Sequence, residues 1–329
     1  MRGTVLTKAA YFTVFLIALT FLAAKVSAQD SVVTLRLSSP NPATHPYSVG
    51  AQKFAELVHK GTDGAVKVMV FPDNQLGNPG AVAQGVQLGT IEMGIVASAH
   101  LVPYFDGMAA LDLPFLFPNV ETAYAKLDGE LGRVVARGLA TKNIEVLTYF
   151  DGGFRNIFST RGPVATPNDM QGLKIRVMNS PVTIDTIKAL GGMPVPLAWG
   201  DLYTGLQQGV VNGGETGITQ MWSQKFYEVA KYMSLTRSVF TAGPVIISKR
   251  RLESFSSDHQ AAIRSAAKEA ADFQRKLAQG EEVKMAEQLK AQGLTFNEVD
   301  LEKFRLAVKP VWEKFGARLP KDIMDQIAN

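Results

Sequence analysis

Three segments of one stretch decide how this chain folds: DGGFRN (residues 151–156), GLKIRV (172–177) and QQGVVNGGE (207–215). They hold two arginines in apolar surroundings, Arg155 and Arg176, together with many glycines and the isolated acid Glu215. Apolar segments normally exclude arginine, because a buried guanidinium must keep its partners. We therefore predict that these arginines await an anionic ligand and that the rest of the chain builds a cleft around them.

Each arginine also has a simpler explanation. Arg176 alternates with the apolar residues of a predicted strand, so it could lie on that strand's exposed face. Arg155 follows a glycine-rich crossing and could form a structural ion pair with Glu215 or Asp151. Together, one on a strand and one at a hinge, they favour a two-pronged anion site, since a guanidinium fork matches a carboxylate. Glu215 would then hold one arginine in place when no ligand is bound.

The first part of the chain alternates strand and helix patterns. Apolar periodicity predicts strands at residues 32–37, 66–71 and 93–97, with helices at 46–60 and 81–88 between them. This order indicates parallel strands with helices packed on the sheet. Ligands of such sheets bind beyond the carboxyl ends of the strands, where residues 38–45 and 97–100 lie.

The remaining patterns predict a second α/β unit and a long helix. They comprise helices at residues 120–139, 181–190, 199–207 and 216–229, strands at 144–150, 156–159, 173–177, 194–196, 210–211, 232–236 and 244–248, and a helix over 258–290 with a capping box at 257–260, followed by two short helices. A helix of that length would reach about 50 Å and span two domains. We therefore predict an α/β fold with two domains around a cleft, joined by hinge strands. The first would hold residues 29–152 and 241–280, and the second 153–240 and 281–329.

The first 28 residues differ from the rest. Basic residues precede an apolar run over 9–24, and Val26-Ser27-Ala28 suits a peptidase, which predicts a secretory signal cleaved after Ala28. A membrane anchor is the alternative, but the run is short for a span of about 20 residues. Removing the three basic residues of this segment lowers the formal charge from +4 to +1. With no basic block left, nucleic acid is not an expected partner.

Composition and motifs argue against catalysis. The chain has no cysteine, hence no thiolate metal site and no thiol nucleophile, and with its signal it suits the bacterial periplasm. It lacks the G-x-S-x-G, H-E-x-x-H and P-loop patterns, and its four histidines are scattered. We therefore expect no catalytic residues, no metal and no cofactor.

Short motifs in a fixed order resemble one known family. They are FP (71–72) with QLG (75–77), LPFLF (113–117), GLKIRV (172–177), LYT (202–204) with LQQGVV (206–211), and YEV (227–229). The chain thereby resembles the periplasmic solute-binding receptors of tripartite ATP-independent periplasmic (TRAP) transporters, of the dicarboxylate-receptor type. The resemblance implies two α/β domains that close on a ligand, which agrees with the patterns above.

The resemblance also implies roles for individual residues. Arg176 matches the arginine that forms the main salt bridge to a ligand carboxylate, Arg155 matches a second arginine, and Glu215 matches an acid. Asn212 and Thr216 stand where the family usually has aspartate and asparagine, so we expect them to tune selectivity. With two aromatic candidates for the wall of the site and two residues near strand ends, the predicted ligand-binding residues are Arg176, Arg155, Glu215, Thr216, Asn212, Trp199, Phe154, His45 and Gln75.

The resulting functional prediction is a periplasmic receptor and not an enzyme. It would capture a small organic acid, either a dicarboxylate, a sugar acid or a keto or hydroxy acid, and deliver it to the membrane subunits of a TRAP transporter. Two alternatives are a receptor that feeds a membrane sensor kinase, and a periplasmic hydrolase or lyase of similar shape.

Overall fold

The structure, a computed structural model, describes residues 32–328. The predicted secretory signal at residues 1–28 lies outside this range. Within it, no helix combines the length and the apolar character that crossing a membrane requires.

The first α/β unit has the predicted order of elements. These are β1 (Val33–Ser38), α1 (Pro46–Gly61), β2 (Val66–Phe71), α2 (Pro79–Leu88) and β3 (Met93–Ile95). β1 lies between β2 and β3 in the sheet and runs parallel to β3. His45 caps α1, because its Nδ1 accepts a hydrogen bond from the backbone N–H of Tyr47 at 3.0 Å. Gly89 ends α2 in the left-handed conformation that glycine adopts without strain.

Two helices replace the single helix predicted for residues 120–139. They are α3 (Val120–Asp128) and α4 (Glu130–Ala140). Gly129 separates them in an extended conformation, with φ −84° and ψ −156°. A Cβ at this position would lie 2.6 Å from the carbonyl oxygen of Ala125, so the break depends on glycine.

Two long antiparallel strands form the middle of the sheet, where four separate strands were predicted. They are β4 (Ile144–Ser159) and β8 (Tyr232–Ser248). The glycines interpreted as a strand boundary instead form an irregularity inside β4, between Asp151 and Phe154, with Gly153 at φ +76°. One extra residue on one strand of a pair is a β-bulge, which bends the strand without ending it.

The second unit lies on the other side of this pair. It contains β5 (Lys174–Val177), α5 (Pro181–Ala189), β6 (Met193–Pro196), α6 (Leu202–Gln207), β7 (Gly213–Thr216) and α7 (Ile218–Ser223). The strand predicted at residues 210–211 therefore lies slightly later in the chain. The sheet order is β2-β1-β3-β8-β4-β7-β5-β6, so β4 and β8 are the only strands of this order shared by both units in the described chain.

The C-terminal part is dominated by one helix, as predicted. The elements are α8 (Lys249–Glu253), α9 (Ser257–Ala291), β9 (Thr295–Asn297), which pairs with β8, α10 (Leu301–Ala307), α11 (Lys309–Gly316) and α12 (Lys321–Ala328). The capping residue of α9 is Ser256, whose Oγ accepts from the N–H of His259, so the predicted capping box is one residue out of place. The 35 residues of α9 extend about 52 Å.

The long helix contributes to the hydrophobic cores of both units. Its first half, from Ile263 to Ala271, packs with β1–β3 and α1. Met285 and Leu289 near its end pack instead with α6 and α7. Between them, the fully buried Gln274 exchanges two 2.8 Å hydrogen bonds with the backbone N–H and C=O of Asp151. The helix is thus joined to β4 next to its bulge.

Candidate functional site

A cavity of about 560 Å³, including the space at its mouth, lies where the two units face each other across β4 and β8. Its walls come from both units: Pro40, Asn41, Tyr47, Pro79, Ala97, His100, Arg155, Arg176, Met178, Trp199, Glu215, Thr216, Gly217, Gln220 and Thr241. The segments that follow β1 and β3 contribute, as expected for the carboxyl ends of parallel strands.

Arg176 enters the cavity from β5 and is only 4% exposed. Its Nε donates to the carbonyl oxygen of Leu197 at 2.9 Å, and its guanidinium lies 5.4 Å from the ring centre of Trp199. In residues 32–328, no carboxylate lies within salt-bridge distance of it. Burial, reinforced by the charge of Arg155, lowers the pKa of Arg176 to about 9. It is therefore a buried cation at neutral pH that forms no salt bridge within residues 32–328, although Glu215 is near enough for its charge to act on it.

Arg155, in contrast, is already paired. It lies on β4 and donates from Nη2 to Oε2 of Glu215 on β7 at 3.0 Å, and both side chains are almost fully buried. The other carboxylate oxygen of Glu215 accepts from the hydroxyl of Ser238 at 2.8 Å. The ion pair predicted from sequence as one explanation of Arg155 is therefore present, while Arg176 remains available to an anion.

Two further titratable groups lie near the arginines. His100 lines the cavity, and burial, with smaller effects of Arg176 and Arg155, lowers its pKa to about 4. It is therefore neutral and can accept or donate a hydrogen bond. Asp112 is buried behind the cavity wall, where it accepts from Ser98 Oγ at 2.8 Å, and burial raises its pKa to about 6.

Two hydrogen bonds connect the units at the mouth of the cavity. Gly200 N–H donates to Oδ1 of Asn78 at 3.4 Å, and Nε2 of Gln224 donates to Oδ1 of Asn41 at 3.2 Å. Asn41 and Asn78 follow β1 and β2 in the first unit, whereas Gly200 and Gln224 belong to the second. The conformation is therefore one in which the two sides of the mouth touch.

The structure brings five of the nine predicted ligand-binding residues to this cavity. These are Arg155, Arg176, Trp199, Glu215 and Thr216. β7 pairs with β4, which carries Arg155, and with β5, which carries Arg176. The two arginines therefore reach one cavity although they are far apart in the chain.

The other four predicted residues lie elsewhere. Asn212 lies just before β7 and connects it to β5, because its Oδ1 accepts a hydrogen bond from the N–H of Lys174 at 3.1 Å. Phe154 packs edge-to-face on Phe240, with ring centres 5.4 Å apart. His45 caps α1, and Gln75 is exposed in the turn after β2.

Several residues of the cavity had no clear sequence signal. Tyr47 is one of these. Its hydroxyl oxygen makes no hydrogen bond within the described residues, and neither does Nε1 of Trp199, which was predicted. Gln220 and Thr241 were likewise not predicted. His100 lies in the segment 97–100 that was predicted to be at a ligand-binding strand end, but it was not itself named as a site residue.

The chain is similar to one family of known proteins over most of its length. A family model described as bacterial extracellular solute-binding protein, family 7, matches residues 37–319. The 2,3-diketo-L-gulonate-binding periplasmic protein of Escherichia coli (strain K12) is 36% identical over 273 residues, which cover 83% of each chain.

Solved structures agree with this match. A TRAP periplasmic solute-binding protein from Chromohalobacter salexigens with bound D-glucuronate is 31% identical and has a TM-score of 0.86, covering 89% of this chain and 99% of its own. A second one, from Polaromonas sp. JS666 bound to D-erythronate, is 32% identical with a TM-score of 0.87, covering 90% and 97%. Both are similar to this chain over nearly the whole described range.

Proposed function

This chain belongs to family 7 of the bacterial extracellular solute-binding proteins, and from that premise we propose that its cavity holds a small sugar acid by the carboxylate. It is a receptor and not an enzyme: its relative from Escherichia coli is a periplasmic binding protein, and the two structural neighbours are TRAP periplasmic solute-binding proteins. It binds an organic acid anion and delivers it to the membrane subunits of such a transporter. Its two-domain α/β fold is that of the same receptors.

The observation that carries the proposal is the state of Arg176. A buried cation without an acid beside it is costly, unless a ligand supplies the missing negative charge. Nε of Arg176 is engaged by Leu197, which leaves the two terminal nitrogens for a carboxylate. Such a charge-assisted, bidentate contact gives both strength and orientation. Arg155, Glu215, Thr216 and Trp199 would complete this end of the site.

The sugar-acid class is supported by the polar groups of the cavity. Tyr47 Oη and Trp199 Nε1 are buried without a partner in the described chain, and Gln220, Thr216 and Thr241 also line the space. A ligand with several hydroxyl groups can both donate to and accept from such groups, whereas the carboxylates of a plain dicarboxylate can only accept. D-glucuronate and D-erythronate, bound by the two structural neighbours, are hydroxylated acids of this kind.

We also propose where this protein is located in the cell. Receptors of this family are periplasmic, and we propose that residues 1–28 direct export and are removed after Ala28. Intact mass spectrometry of the exported protein would test this.

We also propose that the chain forms two domains, one of residues 29–152 with 241–280 and one of 153–240 with 281–329. The pairing of β3 with one end of β8, and of β7 with the opposite end of β4, supports this division for the strands.

Thermal-shift screening followed by calorimetry tests the ligand class. The panel contains D-glucuronate, D-erythronate, 2,3-diketo-L-gulonate and succinate, with D-glucose as a control that lacks a carboxylate. We expect a hydroxylated acid to raise the melting temperature, since a ligand at 100 times its Kd stabilises the native state by about 2.7 kcal/mol. Glucose should have no effect. Binding of succinate alone would contradict the sugar-acid class, and no response to any acid would contradict the receptor proposal.

A further inference from the structure

Ser238 is a buried serine beside the binding site that is not itself part of the cavity wall. Its hydroxyl donates to Oε1 of Glu215 at 2.8 Å, while Oε2 of the same carboxylate accepts from Arg155 at 3.0 Å. Both oxygens of Glu215 are therefore occupied, one by a neutral donor and one by a cation. The orientation of the carboxylate is determined by both contacts.

The backbone around Ser238 is held in an unusual conformation. The pairing of β4 and β8 is irregular between Arg155 and Ile157, where β8 contributes several extra residues, and Arg237 adopts a φ of +44°. The carbonyl oxygen of Ser238 accepts from the N–H of Phe115 at 2.6 Å, and Phe115 has a φ of +61°. Left-handed conformations are unfavourable for such residues and persist only where surrounding contacts enforce them, often at functional sites. The bulge directs the hydroxyl of Ser238 toward Glu215.

Glu215 has two possible cationic partners. Arg155 and Arg176 both line the cavity, and Glu215 is close enough to Arg176 for its charge to act on that guanidinium. A carboxylate that turned toward Arg176 would occupy the place of the ligand. Glu215 can therefore pair with either arginine, and an additional hydrogen bond to its carboxylate can favour the pair with Arg155.

We propose that Ser238 is a positioning residue: its hydroxyl keeps Glu215 on Arg155 and so leaves Arg176 free for the ligand carboxylate. Ser238 acts through Glu215 and does not touch the ligand. The inference rests on the proposed function, because it assumes that Arg176 binds the carboxylate. It adds a residue whose removal should weaken binding by letting an internal acid compete with the ligand.

The test is a double-mutant cycle measured by calorimetry. The probe is D-glucuronate, D-erythronate or 2,3-diketo-L-gulonate, whichever the wild type binds most tightly. We expect Ser238→Ala to raise the Kd about tenfold. In a Glu215→Gln background the same substitution should change the Kd less than twofold, because a neutral amide cannot compete for Arg176 as a carboxylate does. A merely structural role would give equal losses in both backgrounds, and that result would overturn the proposal.

Ser234 supplies a matched control on the same strand. It is equally buried and its hydroxyl also forms hydrogen bonds, to the N–H of Val164 and to Oδ1 of Asn297, but it does not line the cavity. Ser234→Ala should lower the melting temperature and leave the Kd unchanged. If Ser238→Ala does not fold, Ser238→Cys replaces it, since a thiol has a similar volume but donates weakly. Its Kd should also rise.

The outcomes separate this inference from the proposed function. If the wild type binds a hydroxylated acid and Ser238→Ala binds it equally well, only the role of Ser238 is wrong. If the wild type binds none of the acids, the proposed function fails and the inference fails with it.

Discussion

Arg176 differs from the other buried arginines in a way that fits its proposed role in binding. It is buried, keeps one hydrogen bond to a backbone carbonyl, and forms no salt bridge in the described chain. Arg275 offers the opposite case. It is also buried, but it donates to both oxygens of Asp128, at 2.6 and 2.8 Å, and to the carbonyl oxygen of Tyr149. Arg275 is paired within the protein, whereas Arg176 is not, as expected if a ligand supplies its partner.

Substituting the two arginines by methionine should therefore have opposite effects on stability. We expect Arg176→Met to raise the free energy of unfolding by about 1 kcal/mol, since an unpaired buried charge is removed. The same change should abolish binding of sugar acids. Arg275→Met should lower the free energy of unfolding by about 1–3 kcal/mol, a range reduced because Asp128 is half exposed. Its ligand affinity should stay near that of the wild type.

Urea unfolding without ligand and calorimetry with ligand measure these effects. A large loss of stability in Arg176→Met would mean that the guanidinium has a partner in the unliganded protein. In that case Arg176 would be structural, and the carboxylate would bind elsewhere.

The residues of the site were predictable to different degrees. Arg176 and Arg155 stand out because arginine is unusual among apolar residues, and Glu215 because it is an isolated acid. Ser238 could not be predicted, because its role depends on a bulge that turns it toward Glu215, and bulges leave no periodic pattern. Tyr47 was missed for another reason: an aromatic residue in the first turn of a helix normally indicates core packing.

The observed sheet differs from the predicted one at the bulge in β4, where a break between two strands was predicted. Glycines at positions 152 and 153 interrupt an apolar strand pattern, which normally indicates a turn. In the structure β4 continues through them, because pairing with β8 resumes on both sides. The remaining helices and strands were largely predictable from apolar periodicity. The continuity of β4 and β8 was not, since it depends on contacts between residues far apart in the chain.

Gly153 is the position at which this bulge can be tested. Its φ is +76°, and a Cβ there would make only ordinary contacts, the nearest at 3.8 Å from Oε2 of Glu282. Gly153→Ala should therefore cost about 1 kcal/mol of stability through backbone strain alone. Because the bulge lies where both units share β4, the substitution should also change the Kd of the ligand.

Gly172→Ala is the matched control for this prediction. Gly172 has a nearly identical φ of +75° and no atom within 4 Å of an added Cβ, but it lies in the turn before β5. It should lose similar stability, as measured by urea unfolding, and keep the wild-type Kd. Equal Kd values for both variants would show that the bulge is only a connection and has no part in closure.

The whole molecule should lose stability in mild acid, and His45 is one reason. It is fully buried, and burial lowers its pKa to about 3. Its Nδ1 accepts the hydrogen bond that caps α1, so protonation of that nitrogen would remove the cap. An unfolded histidine has a pKa of about 6.5, so the unfolded chain binds the proton first as the pH falls. The contribution is fully present above pH 6.5 and declines below it.

We expect the free energy of unfolding to fall by about 1.4 kcal/mol per pH unit for this histidine between pH 6 and pH 4. His45→Asn should flatten that dependence, since asparagine caps helices well and does not titrate. His100 contributes in the same direction, because its pKa is also lowered, whereas Asp112 acts oppositely, because its pKa is raised to about 6. Identical pH profiles for the wild type and His45→Asn would contradict the prediction.

The two hydrogen bonds at the mouth, from Gly200 to Asn78 and from Gln224 to Asn41, also affect how readily the cavity opens. Both join neutral groups and are long, at 3.4 and 3.2 Å. Each is worth about 1 kcal/mol, so together they shift the balance between open and shut by no more than about thirtyfold. An empty receptor thus reopens readily and is soon ready to reload. If Arg176 binds the carboxylate as proposed, its ion pair with the ligand should govern how long the acid stays bound, and these two hydrogen bonds should contribute little.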